Sequence, residues 1–179
     1  MNTWAGIGDS GEEVHVSNIT FVKAKEADLE TILSIYNYYI ATSTATFDIG
    51  PISKDEMSQR LFVNHQKYQT YLIKSNQDTI GFCFLTQFRK KKAYDRTAEI
   101  GLYIKPEFTR KGFGKEAILF LEKVAIYRQI KVIVASISGE NLASIKLVQK
   151  MGYTQCAHYR EIGEKFGRLL DVIDFQKSL

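Results

Sequence analysis

Scarcity is the first feature of this chain: two cysteines, two prolines, three histidines and no long apolar run among 179 residues. Cys83 and Cys156 each lie in a strand-like apolar stretch, without CxxC or Cys/His spacing. That excludes a zinc knuckle and a disulfide framework; no metal is expected, and both thiols are predicted to be buried in a reducing compartment. Pro51 and Pro106 stand alone, and neither marks a linker. No apolar stretch approaches the roughly 18 residues a membrane helix needs, and the first residues lack a basic-then-apolar leader pattern. A cytoplasmic protein without membrane contact is the expectation. Charge of one sign is also lacking: 24 Lys plus Arg against 20 Asp plus Glu leave +4. So mild an excess suits a small anionic ligand and gives no argument for nucleic acid. Repeats and low-complexity segments are absent, and 45% hydrophobic residues suffice for one domain with a core. A chain of this length buries roughly 70% of the surface its unfolded form exposes.

Residues 1–17 are glycine-rich, polar and aperiodic, and read as a flexible tail preceding a single domain over 18–179. From there the pattern predicts strand, helix, helix, three strands, helix, strand, helix and two strands. Leu29, Ile32, Leu33, Tyr36 and Ile40 recur at helical spacing behind Asp28, a possible cap. Ser53 and Glu56 form a capping box for a second helix running to about Asn64. Two strands around the turn SNQD make a hairpin, and a basic loop, RKKKAYD, follows it. In TAEIGLYI, Ala98, Ile100, Leu102 and Ile104 alternate with Glu99, Gly101 and Tyr103. KVIVASI is a continuous apolar run, as in a strand covered on both faces. A short helix, NLASIKLVQK, ends at Gly152. The last two strands are joined by GEKFG.

The segment TRKGFGKEAI has the makings of a phosphate loop. A Walker loop is ruled out twice: Glu116 follows Gly114-Lys115 where Ser or Thr should hold magnesium, and Thr109 stands where the first glycine belongs. Gly112, Gly114 and Ala117 satisfy the dinucleotide fingerprint literally, but Lys105 to Lys111 separate them from the strand, and no acidic residue follows at the required distance. What remains is a diphosphate loop feeding a helix N-terminus. There glycines expose amides, the helix end supplies about half a positive charge, and Arg110, Lys111 and Lys115 add whole ones. The plainer alternative is a basic turn capping a surface helix.

Taken in order, TAEIGLYI, TRKGFGKEAI and SISGENLASIKLVQKMGY resemble the GNAT superfamily of acetyl-CoA-dependent N-acetyltransferases. IYNYYIATSTATFD, AYDRTAE and KFGRLLDV are similar to its phosphinothricin N-acetyltransferase-like branch, and the match spans about Ile19 to Phe175. The resemblance implies an α/β (α+β) fold: a mixed, mostly antiparallel sheet whose central parallel strands splay to admit the pantetheine arm of acetyl-CoA. It implies that Leu102, Tyr103 and Ile104 offer backbone groups to that arm. Arg110, Lys111, Gly112, Phe113, Gly114 and Lys115 would wrap the diphosphate, and Asn141 would touch the pantetheine. The loop departs from the family at Thr109, where Gln or Arg is usual, with Arg110 next to it supplying charge. Val148 stands where a His or Tyr often does, and a valine transfers no proton.

Acetyl transfer requires a neutral amine, so a base must take the ammonium proton. Glu99, a carboxylate on a strand among apolar neighbours, is the candidate, and the resemblance agrees. Phe47, Arg89, Tyr94 and Glu99 are the expected acceptor contacts, with Arg89 suited to a substrate carboxylate. Phe47 and Tyr94 read equally well as core or interface aromatics. The acceptor implied is a small amino-acid-like amine of the phosphinothricin, methionine sulfone or methionine sulfoximine type, handled by a homodimer. A polyamine or protein N-terminus as acceptor, or an idle acyl-CoA-binding module, are the alternatives. His15, His65 and His158 receive no role.

Overall fold

The computed structural model describes residues 13–16, 18–63 and 65–179. Eight strands form one sheet in the order β1-β2-β3-β4-β5-β6-β8-β7, antiparallel at every step except β5–β6. They are β1 Glu13–Val16, β2 Ile19–Lys23, β3 Gln69–Ser75, β4 Asp78–Gln87, β5 Thr97–Ile104, β6 Val132–Ser138, β7 Thr154–Lys165 and β8 Arg168–Ser178. Helices α1 (Leu29–Thr42), α2 (Lys54–Arg60), α3 (Phe113–Tyr127) and α4 (Leu142–Lys150) connect them. From β2 onward the order is the predicted one. Within the segment expected as a tail, Glu13–Val16 pair in register with Ile19–Val22, and the rest of 1–17 lies outside the described residues.

Alternation along the strands sorts side chains onto two faces, each covered by helices. On one face α3 packs Ile118, Phe120, Leu121 and Val124 against Phe21, Tyr71, Ile73 and Leu85. Phe21 and Phe120 stack with ring centroids 4.0 Å apart. On the other face α1 and α2 set Ile32, Ile35, Ile40 and Met57 on Leu72 and Phe82. Ile100, Leu102 and Ile104 join the first cluster and Tyr103 the second, as the alternation required.

Local signals worked unevenly. The Ser53–Glu56 capping box is present, but α2 ends at Arg60, short of Asn64. The Asp28 carboxylate does not cap α1; it accepts the Lys25 N–H at 2.8 Å. Cys83 is buried as expected, whereas Cys156 is exposed beside a bulge in β7 and corrects that reading. The last hairpin turns on Phe166 and Gly167, both at positive φ, so β7 absorbs much of the predicted connection.

Candidate active site

Parallel pairing between β5 and β6 stops after three positions, Thr97↔Val132, Ala98↔Ile133 and Glu99↔Val134. Beyond Glu99, β5 stays with β4 and β6 stays with β8, so the sheet opens into a wedge. One cavity of about 160 Å³ fills its vertex, lined by Glu99, Tyr103, Ser136, Ser138 and Val148 among others. It shares Ala45, Leu102, Tyr103, Asn141, Ser144 and Leu147 with a groove of about 510 Å³ that runs out to Thr109, Arg110, Gly112, Gly114 and Lys115.

At the outer end, Thr109 Oγ1 donates to the Pro106 carbonyl at 2.8 Å, closing a 3-10 turn. Arg110 at φ 61° and Gly112 at φ 89° then swing the chain into α3. Gly112 relieves the strain a Cβ would bring at that φ, and being the N-cap it has no side chain to cover the leading N–H groups. The helix begins at Phe113, two residues earlier than the pattern after Gly114 suggested. Arg110 and Lys115 are exposed at the groove. Lys111 instead lays its ammonium over the Phe108 ring at 5.0 Å, and Phe113 packs on the core; neither lines the groove. The cradle of uncapped amides and two free-reaching cations fits a diphosphate.

The inner end is held from several sides. Asn141 caps α4, its Oδ1 accepting from Ser144 N–H at 3.1 Å, which leaves its amide N–H groups for the groove. The loop after α1 hangs over both cavities through Ala45. Thr44 meets Ser138 (Oγ to Oγ1, 3.2 Å), the Tyr103 hydroxyl donates to the Ala45 carbonyl at 3.4 Å, and Lys165 donates to the Thr46 carbonyl at 2.8 Å. Tyr39 donates to the carbonyl of Ile104. The Tyr36 hydroxyl and Arg60 both reach Asp48. Burial raises Asp48, but those partners outweigh it and hold the carboxyl below its ordinary range. Gly101 has to lack a side chain because the Phe84 ring would sit 2.0 Å from a Cβ there.

Glu99 has none of these partners. Burial, with the negative charge of Asp174 adding to it, pushes its carboxyl above the ordinary glutamate range. Val148 is buried in the cavity wall and offers no proton.

The expected acceptor residues divide. Arg89 lies over the rings of Phe88 (5.1 Å) and Tyr94 (5.5 Å), so two of them do meet. With Gln87 opposite Ala98, they sit past the start of β5, on the other side of Glu99 from the Arg110 loop. Phe47 packs its ring on Gly163 of β7. Neither Phe47 nor the Arg89–Tyr94 pair lines the two cavities. Sequence reasoning missed Tyr39, Ala45, Ser136, Ser138, Ser144 and Asp174. Two serines inside the apolar strand KVIVASIS were a usable signal; nothing local distinguished Asp174. His158, given no role, pairs with Asp171 (Nε2 to Oδ2, 2.6 Å) on the exposed hairpin.

Among the described residues there is no cluster able to hold a metal, and no helix is long and apolar enough to cross a membrane. A family model described as an acetyltransferase (GNAT) domain matches residues 21–173. The phosphinothricin N-acetyltransferase of Streptomyces coelicolor is 28% identical over 159 residues, covering 86% of this chain and 92% of that protein. The L-methionine sulfoximine/L-methionine sulfone acetyltransferase of Pseudomonas paraeruginosa is 29% identical over 157 residues, covering 86% and 90%. A crystal structure of a phosphinothricin acetyltransferase from Sinorhizobium meliloti in complex with acetyl-CoA superposes with a TM-score of 0.84 at 27% identity, covering 91% of this chain and 89% of that one.

Proposed function

Because the chain belongs to the GNAT acetyltransferase family, we propose that it moves acetyl from acetyl-CoA to the amino group of a small amino-acid-like acceptor, with Glu99 as general base. One observation carries this reading: two adjoining cavities with shared walls run from Arg110 and Lys115, through the split between β5 and β6, to a half-buried carboxylate.

Arg110, Lys115 and the leading amides of α3 would hold the diphosphate. The unladdered side of Leu102–Ile104 and the free amide of Asn141 would line up the pantetheine. When bound, acetyl-CoA supplies an acyl carbon made reactive by its thioester. Glu99 then takes the ammonium proton, which leaves the amine lone pair free to attack. Its raised basicity suits that task, since a base works best when its pKa lies near the working pH. A β5 N–H near Tyr103 would face the oxygen on which charge develops. Val148 in the wall delivers no proton to the departing sulfur, and a thiolate is a good enough leaving group to need none. Alignment supplies most of the acceleration, by about 7–11 kcal/mol where amine and acyl carbon are well placed.

The acceptors named for the relatives, phosphinothricin and methionine sulfoximine or sulfone, set the class. Arg89 is the cation for their acidic group. A polyamine is the second reading, favoured by the carboxylate of Asp174 close to Glu99. The reading includes a cytoplasmic homodimer, supported by free thiols and by exposed Ile162, Phe166 and Leu169 on the edge hairpin β7–β8. Thiol release from acetyl-CoA decides it, measured with free amino acids, their sulfone, sulfoximine and phosphinate analogues, and a diamine. Turnover on the analogues supports the proposal. Turnover on the diamine alone transfers it to polyamines. Coenzyme binding without turnover on any amine makes the chain an acyl-CoA-binding module.

A further inference from the structure

Glu99 is opposite Val134 in the parallel register, Ser136 follows two residues on, and Ser136 is opposite Asp174 on β8. Paired positions and alternate positions share a face, so Glu99, Ser136 and Asp174 project from the same side of the sheet. Two strand spacings separate β5 from β8, about 10 Å at the backbone. Asp174 is two residues further along than Glu99, at the mouth of the wedge, and both carboxylates project over the cavity face that Ser136 lines. Ser136 Oγ donates to Asp174 Oδ1 at 2.7 Å and fixes where that carboxylate points.

Resting on the assignment of Glu99 as base, we propose that Asp174, oriented by Ser136, is a positioning residue that adds to burial in making Glu99 the better proton acceptor. The physical reason is the like-charge rule: a fixed anion disfavours ionisation of a neighbouring carboxyl, which therefore holds a proton more tightly. The Asp174 carboxylate adds to burial in holding the Glu99 carboxyl above its ordinary range. From β4 the residue opposite Glu99 is Thr86, from β6 it is Val134, and the cavity adds only hydroxyls and an amide from β6 and α4. On the far side Asp174 faces Cys156 of β7, whose thiol is pushed up by burial and then by the same carboxylate.

The test is Asp174→Asn in the full chain, read in two ways. The first is the titration of the Glu99 side-chain carboxyl by carbon NMR. The second is the acid limb of kcat/KM for the best amine. Both midpoints fall, by about half a pH unit or more. Asp174→Glu keeps them near the parent, and Ser136→Ala gives a smaller fall. KM for acetyl-CoA stays within about twofold, since Asp174 is away from the diphosphate cradle. An unmoved Glu99 titration in folded Asp174→Asn overturns the proposal, whatever the activity. A chain that acetylates no amine, yet shows the shifted titration, leaves the coupling intact and sinks the assignment of Glu99 as base instead.

Discussion

A carboxylate half-buried in a cavity wall with no cation against it is held against its own solvation preference. Glu99 is in that position, and its raised carboxyl pKa has two consequences of known sign. Activity should be lost as pH falls through the raised value, so the acid limb of kcat/KM lies above the usual value for glutamate of about 4.3. Stability follows the same linkage. A raised folded pKa favours the folded state below the unfolded value, and the advantage is lost as pH rises through the folded one. Glu99→Gln should therefore raise Tm at pH 7, with the difference closing below about pH 4. The same substitution should lower kcat by about 10²–10⁴-fold with little change in KM for acetyl-CoA. Unchanged kcat would remove Glu99 from the chemistry. Asp174 completes this scale: nothing in its local sequence distinguishes it from any strand aspartate, because its significance comes from a register across two strands.

At the scale of elements, the loop into α3 and the wedge beside β5 divide the work. Arg110 and Lys115 contribute charge at an exposed edge, where Coulomb terms are screened. Arg110→Ala and Lys115→Ala should each raise KM for acetyl-CoA, roughly three- to tenfold and more steeply at low salt, with kcat nearly kept. Lys111→Ala should do less, because its ammonium lies on Phe108. Gly101→Ala would force a methyl into the Phe84 ring. Overpacking of that kind costs about 1–3 kcal/mol, and calorimetry should report the loss together with reduced turnover, since β5 carries Glu99. Loop charge and glycine content were readable in TRKGFGKEAI; the differing fates of Lys111, Lys115 and Phe113 were not, because helix phase and the nearby Phe108 decide them.

At the scale of the whole molecule, a part-buried ion pair joins the layers. Lys177 on β8 donates to Glu122 of α3 at 2.8 Å and to the Met151 carbonyl at 2.8 Å, under the ring of Tyr153. Removing one partner leaves the other partly buried without its counter-charge, which typically costs about 1–3 kcal/mol. Glu122→Ala should lower the unfolding free energy by about that much, measured in urea, without altering kcat of the protein that remains folded. The homodimer is tested by sedimentation: a concentration-independent monomer would remove that part of the proposal, and Phe166→Asp should weaken a dimer that uses the β7–β8 edge.

Element order, two-faced burial and the basic glycine turn into α3 were legible because they depend on periods of 2 and 3.6 and on glycine next to lysine, all contained within about twenty residues of chain. The half-buried place of Glu99 was legible for a related reason: a charge in an apolar alternation is anomalous locally. What the chain alone left open came from contacts distant in sequence. β1 forms because β2 offers it a partner, and Cys156 is exposed because a bulge turns it outward. Phe47 lies on Gly163, and Asp174 shares a sheet face with Glu99 only because β6 lies between β5 and β8. The sheet's order, with β5 and β6 parallel for three residues and then apart, makes the cleft. That separation is a property of how eight strands and four helices pack together, and no single segment encodes it.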